Sequence, residues 1–432
     1  MARRPPPLLD MSIGKDDQFD NMGQTYRNEG ISVSVNHLRI KGTEVMFSET
    51  LSVSDLTIGR RIGQGACSSV CIAQHNITKE QYAVKKFNVY DDWQSESLKK
   101  ELELLTKCNE CDALITLKGV FHQEGEVGMI LEYMDRGSLE SLLIHRNDLV
   151  LSEEVLAAIS FQIIWGLGYL HFEKILHRDV KPANVLINSE GHIKLSDFGI
   201  AKDLGTMESM SNTAVGTFRY MSLERLLGQH YNASGDIWSV GIMMIELWTK
   251  KFPFEYCINT PIELVSELES LDLNSFMLGH DMTDFMREII KSMLYRNPKD
   301  RISSLDLIEG AWFGEFGLTS LEAAQSIVVD WLEHYESVRE RNNNKRIYSP
   351  NDRKLYHDHD SNSIPRKKNS PPNIESFSPI NKNNHRNHHN DEDDIFDDYD
   401  DDFEIDNDIN NDSDEKVTRQ YNDDIKHFTS KK

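Results

Sequence analysis

Cysteine is scarce in this chain. Its 432 residues hold five thiols, at Cys67, Cys71, Cys108, Cys111 and Cys257. An odd, scattered set builds no disulfide framework and points to reduced thiols of a cytosolic or nuclear protein. Cys108 and Cys111 have the spacing of half a zinc site, but no second pair follows at a usable distance. Positive charge is short as well: 47 Lys and Arg stand against 71 Asp and Glu, a formal net charge of −24. That balance argues against nucleic acid or an anionic membrane as the principal partner. No apolar run is expected to approach the roughly 20 residues of a membrane span. Arg3 and Arg4 are followed by three prolines rather than an apolar stretch, so no signal peptide is expected. Ala2 excludes N-myristoylation, and the final Phe428-Thr429-Ser430-Lys431-Lys432 is no prenylation signal. The expectation is a soluble protein of the cytoplasm, with the nucleus as a second location.

Hydrophobic residues make up 39% of the chain, enough for a packed core. Residues 1–30 are polar and rich in Pro, Asp and Asn, and read as disordered. Residues 31–54 alternate weakly, through Ile31, Val33, Val35, Leu38 and Ile40, and read as a short strand or hairpin lead-in. The body, 55–316, is dense in apolar periodicity. Its first part reads as strands with one helix, on which Leu98, Leu102 and Leu105 share a face. After Gly137 helices dominate, as over 155–172 and 237–248. A strand-rich lobe followed by a helical lobe is an α+β arrangement with a cleft between them. Residues 317–341 read as a helical extension with Leu321, Ile327, Val328, Trp331, Leu332 and Tyr335 on one side. Residues 342–432 read as a disordered Asn-, His- and Asp-rich tail, with twelve acids between Asp391 and Asp408. Asp406, Asp408, Asn410 and Asp412 alternate like calcium ligands, but Asn411 and Val417 stand where an EF-hand needs Gly and Glu. His385, His388 and His389 belong to a polar run rather than a metal site.

Four segments carry chemistry. Gly63-Gln64-Gly65-Ala66-Cys67-Ser68-Ser69-Val70 lies between two strands, where glycines let backbone N–H groups approach phosphates. A dinucleotide fold would place a helix after such glycines, so that reading is disfavoured. Tyr82-Ala83-Val84-Lys85 is a strand ending in a lysine able to pair with ATP phosphates if a carboxylate holds it. Glu101 shares the inward face of Leu98 and Leu105, whereas Glu103 points about 200° away. Glu101 is therefore the expected holder. His177-Arg178-Asp179-Val180-Lys181-Pro182-Ala183-Asn184 and Asp197-Phe198-Gly199 flank a predicted hairpin through Ser189-Glu190-Gly191. Phosphoryl transfer needs mostly positioning and charge neutralisation. Asp179 can accept a hydroxyl proton, and Lys181 can offset charge on the transferred group. Asn184 and Asp197 supply hard oxygens for Mg²⁺. Singly, each segment is compatible with turn glycines, surface lysines or solvated acids. Together, in order and at these spacings, they match the set of glycine loop, strand lysine, catalytic loop and Asp-Phe-Gly.

From Leu56 to Phe316 the chain resembles a eukaryotic protein kinase domain. The resemblance implies a bilobal fold, with an antiparallel N-lobe sheet plus one helix, a helical C-lobe, and ATP between them. It implies ATP contacts from Ile62, the glycine loop 63–70, Ala83 and Lys85, with Leu131 as gatekeeper. Backbone groups of Glu132 and Met134 would meet adenine, and Leu186 would floor it. Lys181 resembles Ser/Thr-type kinases. Asp236 resembles the anchor of the catalytic-loop backbone, and Glu224 with Arg301 the ion pair that props the activation segment.

Residues 209–225, SMSNTAVGTFRYMSLER, are similar to the MAP kinase kinase family, as are Met134-Asp135-Arg136-Gly137-Ser138-Leu139 and 230–239. Members of that family phosphorylate Thr and Tyr of a downstream MAP kinase and are switched on at two hydroxyls four residues apart. Ser209 and Thr213 fit, with Thr206 and Ser211 as alternatives, and Arg178 is the expected phosphate partner. Arg3, Arg4, Leu9, Met11 and Ile13 resemble a MAP kinase docking peptide; a basic Pro-rich start is the plain alternative. The helix around 328–335 stands where the family docks its upstream activator, or simply packs on the C-lobe. Three departures stand out: Ser68 replaces the third loop glycine, Leu223 replaces a proline, and Ile200-Ala201-Lys202 is commoner one tier up the cascade. The rival readings are an upstream-tier Ser/Thr kinase, a scaffold without turnover, and an acidic tail acting as an interaction module.

Overall fold

The computed structural model describes residues 25–28, 30–34, 37–47, 51–65, 68–88, 92–123, 125–144, 150–197, 218–255, 260–278 and 281–347. Side chains are described for these except at 28, 88, 92–96, 143, 144 and 338–347.

The first element is a four-stranded antiparallel sheet in sequential order, β1 (Tyr26–Asn28), β2 (Ile31–Ser34), β3 (His37–Ile40) and β4 (Thr43–Val45). Tyr26, Ile31, Val33 and Leu38 are buried from it. The lead-in is thus larger than the expected hairpin, and it begins within the stretch read as disordered. Tyr26 supplies the reason: paired opposite Val33, it adds an aromatic side chain to a face that β2 and β3 alone would leave narrow.

The N-lobe sheet has the order β5-β6-β7-β9-β8, all antiparallel. Its strands are β5 (Leu56–Gln64), β6 (Ser68–His75), β7 (Gln81–Asn88), β8 (Leu117–Gln123) and β9 (Glu126–Glu132). Helix α1 (Asp92–Lys107) packs on it through Leu98, Leu102 and Leu105, all buried. Burial of each such leucine contributes roughly 1.5–3 kcal/mol. This holds the helix against the sheet and aims the residues between them.

The C-lobe opens with a three-stranded sheet, β10 (Gly137–Ser138), β11 (Val185–Ile187) and β12 (Ile193–Leu195). Its axis is α2 (Glu153–Phe172), capped by Ser152, whose Oγ accepts from the Val155 N–H at 3.3 Å. This helix corrects the expectation that no apolar run reaches membrane-span length. It is long and apolar enough by composition, yet most of it is buried inside the protein. A helix apolar on all sides is what the centre of a helical lobe requires. Around it lie α3 (Leu223–Leu226), α4 (Ala233–Thr249), α5 (Pro261–Ser270), α6 (Leu273–Leu278), α7 (Asp284–Met293), α8 (Ser304–Ile308) and α9 (Ala311–Glu315). Helix α10 (Leu321–Ile347) runs past the expected boundary at 341. Its stripe of Leu321, Ala324, Val328 and Leu332 is buried against the lobe, with Ile327, Trp331 and Tyr335 partly covered. The Trp331 indole N–H donates to the Val150 carbonyl at 3.2 Å.

Candidate active site

Strand periodicity places Lys85 on β7, opposite Val70 of β6 and Met129 of β9. Helical periodicity places Glu101 on the sheet-facing side of α1. The two meet: Lys85 Nζ lies 2.6 Å from Glu101 Oε1 and 2.5 Å from Asp197 Oδ1. Burial alone would lower the pKa of the Lys85 ammonium, but the two carboxylates outweigh it and the net shift is upward. Burial pushes Glu101 up in spite of Lys85. Asp197 is held below its ordinary range by the charge of Lys85. Asp197 has φ +53°, a left-handed conformation that an L side chain adopts at a cost of about 1–3 kcal/mol. Glu103 lies on another face of α1 and reaches Lys41 of the small sheet at 3.7 Å.

The second cluster is built from the loop before β11. The Asp179 Oδ2 accepts from Lys181 Nζ at 2.9 Å and from Asn184 Nδ2 at 2.8 Å. The Asn184 amide also donates to the Asp179 carbonyl at 2.8 Å. Both the N–H and the hydroxyl of Ser196 donate to the Asn184 carbonyl, at 2.9 and 3.1 Å. Asp197, next along the chain, is thereby tied to the Asp179 loop. The antiparallel β11–β12 hairpin, Val185 opposite Leu195, creates this approach.

Asp236, in the first turn of α4, accepts from the backbone N–H groups of His177 and Arg178 at 2.9 Å each. His171 Nε2 at 3.0 Å and the Tyr231 hydroxyl complete its surroundings. Burial would raise this carboxyl, but those bonds and the nearby histidines bring it down to about 2. Burial lowers His177. The anchor allows Arg178 its φ of +64°. The Arg225 guanidinium also donates to the Arg178 carbonyl. Glu224 and Arg301 form a bidentate pair at 2.8 and 3.1 Å, both buried, with Arg301 also 5.1 Å over the Trp238 ring. Leu223 stands at the first position of α3, packed on the core, and Glu224 keeps its partner.

The glycine-loop residues Ile62, Gly63 and Gln64 end β5, and Ser68, Ser69 and Val70 open β6, with Gly63 opposite Val70 and Gln64 opposite Ser69. The Gly65 N–H donates to the Ser68 carbonyl at 2.8 Å, so Ser68 closes the turn. Ala83 pairs with Leu131 across β7 and β9. Met134 is buried and its carbonyl takes the Gly137 N–H at 3.0 Å. Leu186, on β11, pairs with Ser138 and Lys194. Glu132 has a contact that spacing did not reveal: its carboxylate accepts from the Thr116 N–H at 2.7 Å and from Lys194 Nζ at 2.8 Å. His171, Tyr231 and Arg225 were likewise unforeseen. Their partners lie 65, 5 and 47 residues away, and no local period signals such contacts.

Burial pushes the thiols of Cys108 and Cys111 up, to about 11 and about 12. Among the described residues no group of three or more His, Cys, Asp or Glu could hold a metal. The amide oxygen of Asn184 and the carboxylate of Asp197 are a donor pair suited to a divalent cation that keeps most of its waters. A separate cavity of about 570 Å³ lies between the small sheet and α1, lined by Ile40, Val45, Leu104 and Ile175 among others. None of the predicted site residues lines it. Ala66, Cys67, Phe198, Gly199, Ser209, Thr213, Thr206, Ser211, Arg3, Arg4, Leu9, Met11 and the acidic and histidine runs of the tail lie outside the described residues.

Comparison with known proteins supplies the family. Residues 56–313 match the protein kinase domain family. Mitogen-activated protein kinase kinase 1 of Arabidopsis thaliana is 32% identical over 318 residues, covering 70% of this chain and 88% of that protein. Mitogen-activated protein kinase kinase 2 of the same plant is 32% identical over 285 residues, 64% of this chain and 77% of that protein. Mitogen-activated protein kinase kinase SIPKK of Nicotiana tabacum is 38% identical over 258 residues, 58% and 71%. The upstream-tier alternative is not favoured, since these relatives carry the middle-tier name. The chain is an ATP-dependent enzyme that belongs to the protein kinase family and, within it, to the mitogen-activated protein kinase kinases.

Proposed function

We propose that this protein transfers the γ-phosphate of ATP to activation-loop Thr and Tyr of a downstream MAP kinase. The reading rests on one observation above all. Lys85, Glu101 and Asp197 converge within 2.6 Å although Asp197 is 112 residues from Lys85, and Asp197 is tied to the Asp179 loop. In this arrangement Lys85, held by Glu101, pairs with the α- and β-phosphates. Asp179 takes the proton of the attacking hydroxyl. Lys181, already on the Asp179 carboxylate, offsets charge on the moving phosphoryl group. Asn184 and Asp197 would hold Mg²⁺, which when bound would neutralise phosphate charge. The mechanism uses the glycine loop as a backbone cradle and the Glu132–Met134 segment as the adenine edge.

Ser209 and Thr213 are the proposed activating sites, with Arg178 as the cation that orders the phosphorylated segment. Arg3, Arg4, Leu9 and Met11 are the proposed docking peptide for the substrate kinase, and an upstream kinase is the proposed activator. The reduced, scattered cysteines support a cytoplasmic location with access to the nucleus.

The test is a labelling assay. Purified protein carrying Ser209→Glu and Thr213→Glu is incubated with radiolabelled ATP and catalytically dead MAP kinases. Labelling of their Thr and Tyr is expected, lost with Asp179→Asn. Labelling of a generic protein substrate but no MAP kinase would overturn the substrate assignment.

A further inference from the structure

Helix α10 lies outside the residues that match the kinase family, 56–313, yet it grips the segment that leaves the adenine edge. Asp135 and Arg136 follow Met134 directly. Asp135 accepts from the Ser189 N–H at 2.7 Å and from the Ser189 hydroxyl. Arg136 donates through Nε to the Ser189 hydroxyl at 2.9 Å and through Nη1 to the Glu336 carboxylate on α10. Its own N–H reaches the Ile187 carbonyl at 3.1 Å. One arginine therefore joins three elements: the segment that follows Met134, the β11–β12 turn and α10.

The helix holds that turn at a second point. Gln325 Nε2 is 3.0 Å from His192 Nδ1. Gly191 has φ +80°, and a Cβ there would stand 2.3 Å from the Gln325 carbonyl oxygen. Only glycine fits so close an approach. From behind, Gln162 of α2 holds the same turn, donating to the Gly191 carbonyl at 3.1 Å and accepting from the Ile193 N–H at 2.9 Å. Gln325 and Glu336 are eleven residues apart, which returns a helix to within about 20° of the same face. Val328 and Leu332, buried between them, fix that face on the lobe. The turn in question connects the strand of Leu186 to β12, whose end at Leu195 stands two residues before Asp197. Helix α10 thus bears on both ends of the nucleotide site without touching it.

We propose that Arg136 is a positioning residue for the nucleotide and that Glu336 of α10 fixes it, so that ATP affinity depends on a helix outside the kinase domain. The fork of arginine suits the task, since Nε and Nη1 serve different partners at once, which a lysine ammonium on a flexible stem does not reproduce. The inference rests on reading the cleft as the ATP site.

The experiment uses the full chain and a fluorescent ATP analogue, with Kd, KM for ATP, kcat and thermal midpoint measured for each variant. Glu336→Arg and Arg136→Lys are each expected to raise Kd and KM about two- to fivefold, with kcat and the midpoint nearly unchanged. The double variant Arg136→Lys with Glu336→Arg should be no worse than the worse single one, because both break one linkage. Combining Arg136→Glu with Glu336→Arg should recover part of the loss caused by Arg136→Glu alone. Unchanged Kd and KM in the single variants would overturn the proposal. So would a fall in kcat and midpoint with KM untouched, which is the mark of a merely structural contact. Failure of the unmutated chain to bind the analogue would instead remove the ATP reading itself, and the inference with it.

Discussion

Two ionic clusters in this protein pair cations with carboxylates to opposite ends. Glu224 and Arg301 are almost wholly buried, bidentate and closed, and Arg301 is further held by the carbonyls of Ser234 and Tyr295. Lys85, Glu101 and Asp197 form a cluster with two carboxylates on one ammonium, and the Asp197 side chain is 56% exposed. The closed pair satisfies its charges within the fold. The open cluster carries excess negative charge, a strained φ at Asp197 and a Glu101 whose ionised form burial disfavours. An excess of negative charge of this sort suits a site that receives a cation, such as the metal that accompanies a nucleotide phosphate.

The contrast is sharpest in activity. Asp179→Asn should lower phosphotransfer about 10²- to 10⁴-fold while the thermal midpoint stays put. A radiolabel assay beside calorimetry checks both, and retained turnover would remove Asp179 from the chemistry. Glu224→Ala should do the reverse: unfolding in urea should show a loss of about 3–5 kcal/mol, because it strands a buried guanidinium. If that variant were as stable as the parent, the pair would not be structural.

Acid titration adds a third buried group to the comparison, the Asp236 anchor with its neighbour His177. Asp236, lowered to about 2, contributes stability that is present above its ordinary value of 3.8 and is lost as pH falls from there through about 2. The amount is about 2 kcal/mol. His177 is lowered from 6.5, so the native state resists its protonation and stability begins to fall as pH drops below 6.5. As pH is lowered from 7 to 2, urea midpoints should decline first through His177 and then, below 3.8, through Asp236, and Asp236→Asn should flatten the lower part. The smallest effect is expected at Glu101→Gln. Since the native fold disfavours its charge, the change should shift stability by no more than about 1 kcal/mol, yet weaken ATP binding. A stability loss as large as that of Glu224→Ala would erase the distinction between the clusters.

What was legible in the sequence had a period or a spacing. The positions of Leu98, Leu102 and Leu105 marked one face of α1, and Glu101 followed from it. The Val185–Ile187 and Ile193–Leu195 runs around Gly191 marked a hairpin, which brought Asp197 to the Asp179 loop. The stripe of α10 was visible through Val328 and Leu332, though its end at Ile347 was not. Tyr26 in the small sheet went unseen because three strand residues are too few to show alternation. Helix α2 was read over 155–172 but not as membrane-length, because Ser160 and Gln162 interrupt a strict apolar run while the hydropathy averaged over the helix stays high.

The sequence by itself determined the chemistry of this protein: the ordered set of Lys85, Asp179, Asn184 and Asp197, and the family to which they belong. Tertiary structure decided which charges share a partner. Glu132 with Lys194, the Arg225 guanidinium with the Arg178 carbonyl, Asp236 with His171, and Arg136 with Glu336 join residues whose distance along the chain has no relation to their distance in space. Local propensity acts over a few residues, whereas ionic and hydrogen-bond partners are chosen by packing, so these contacts exist only once the core has closed.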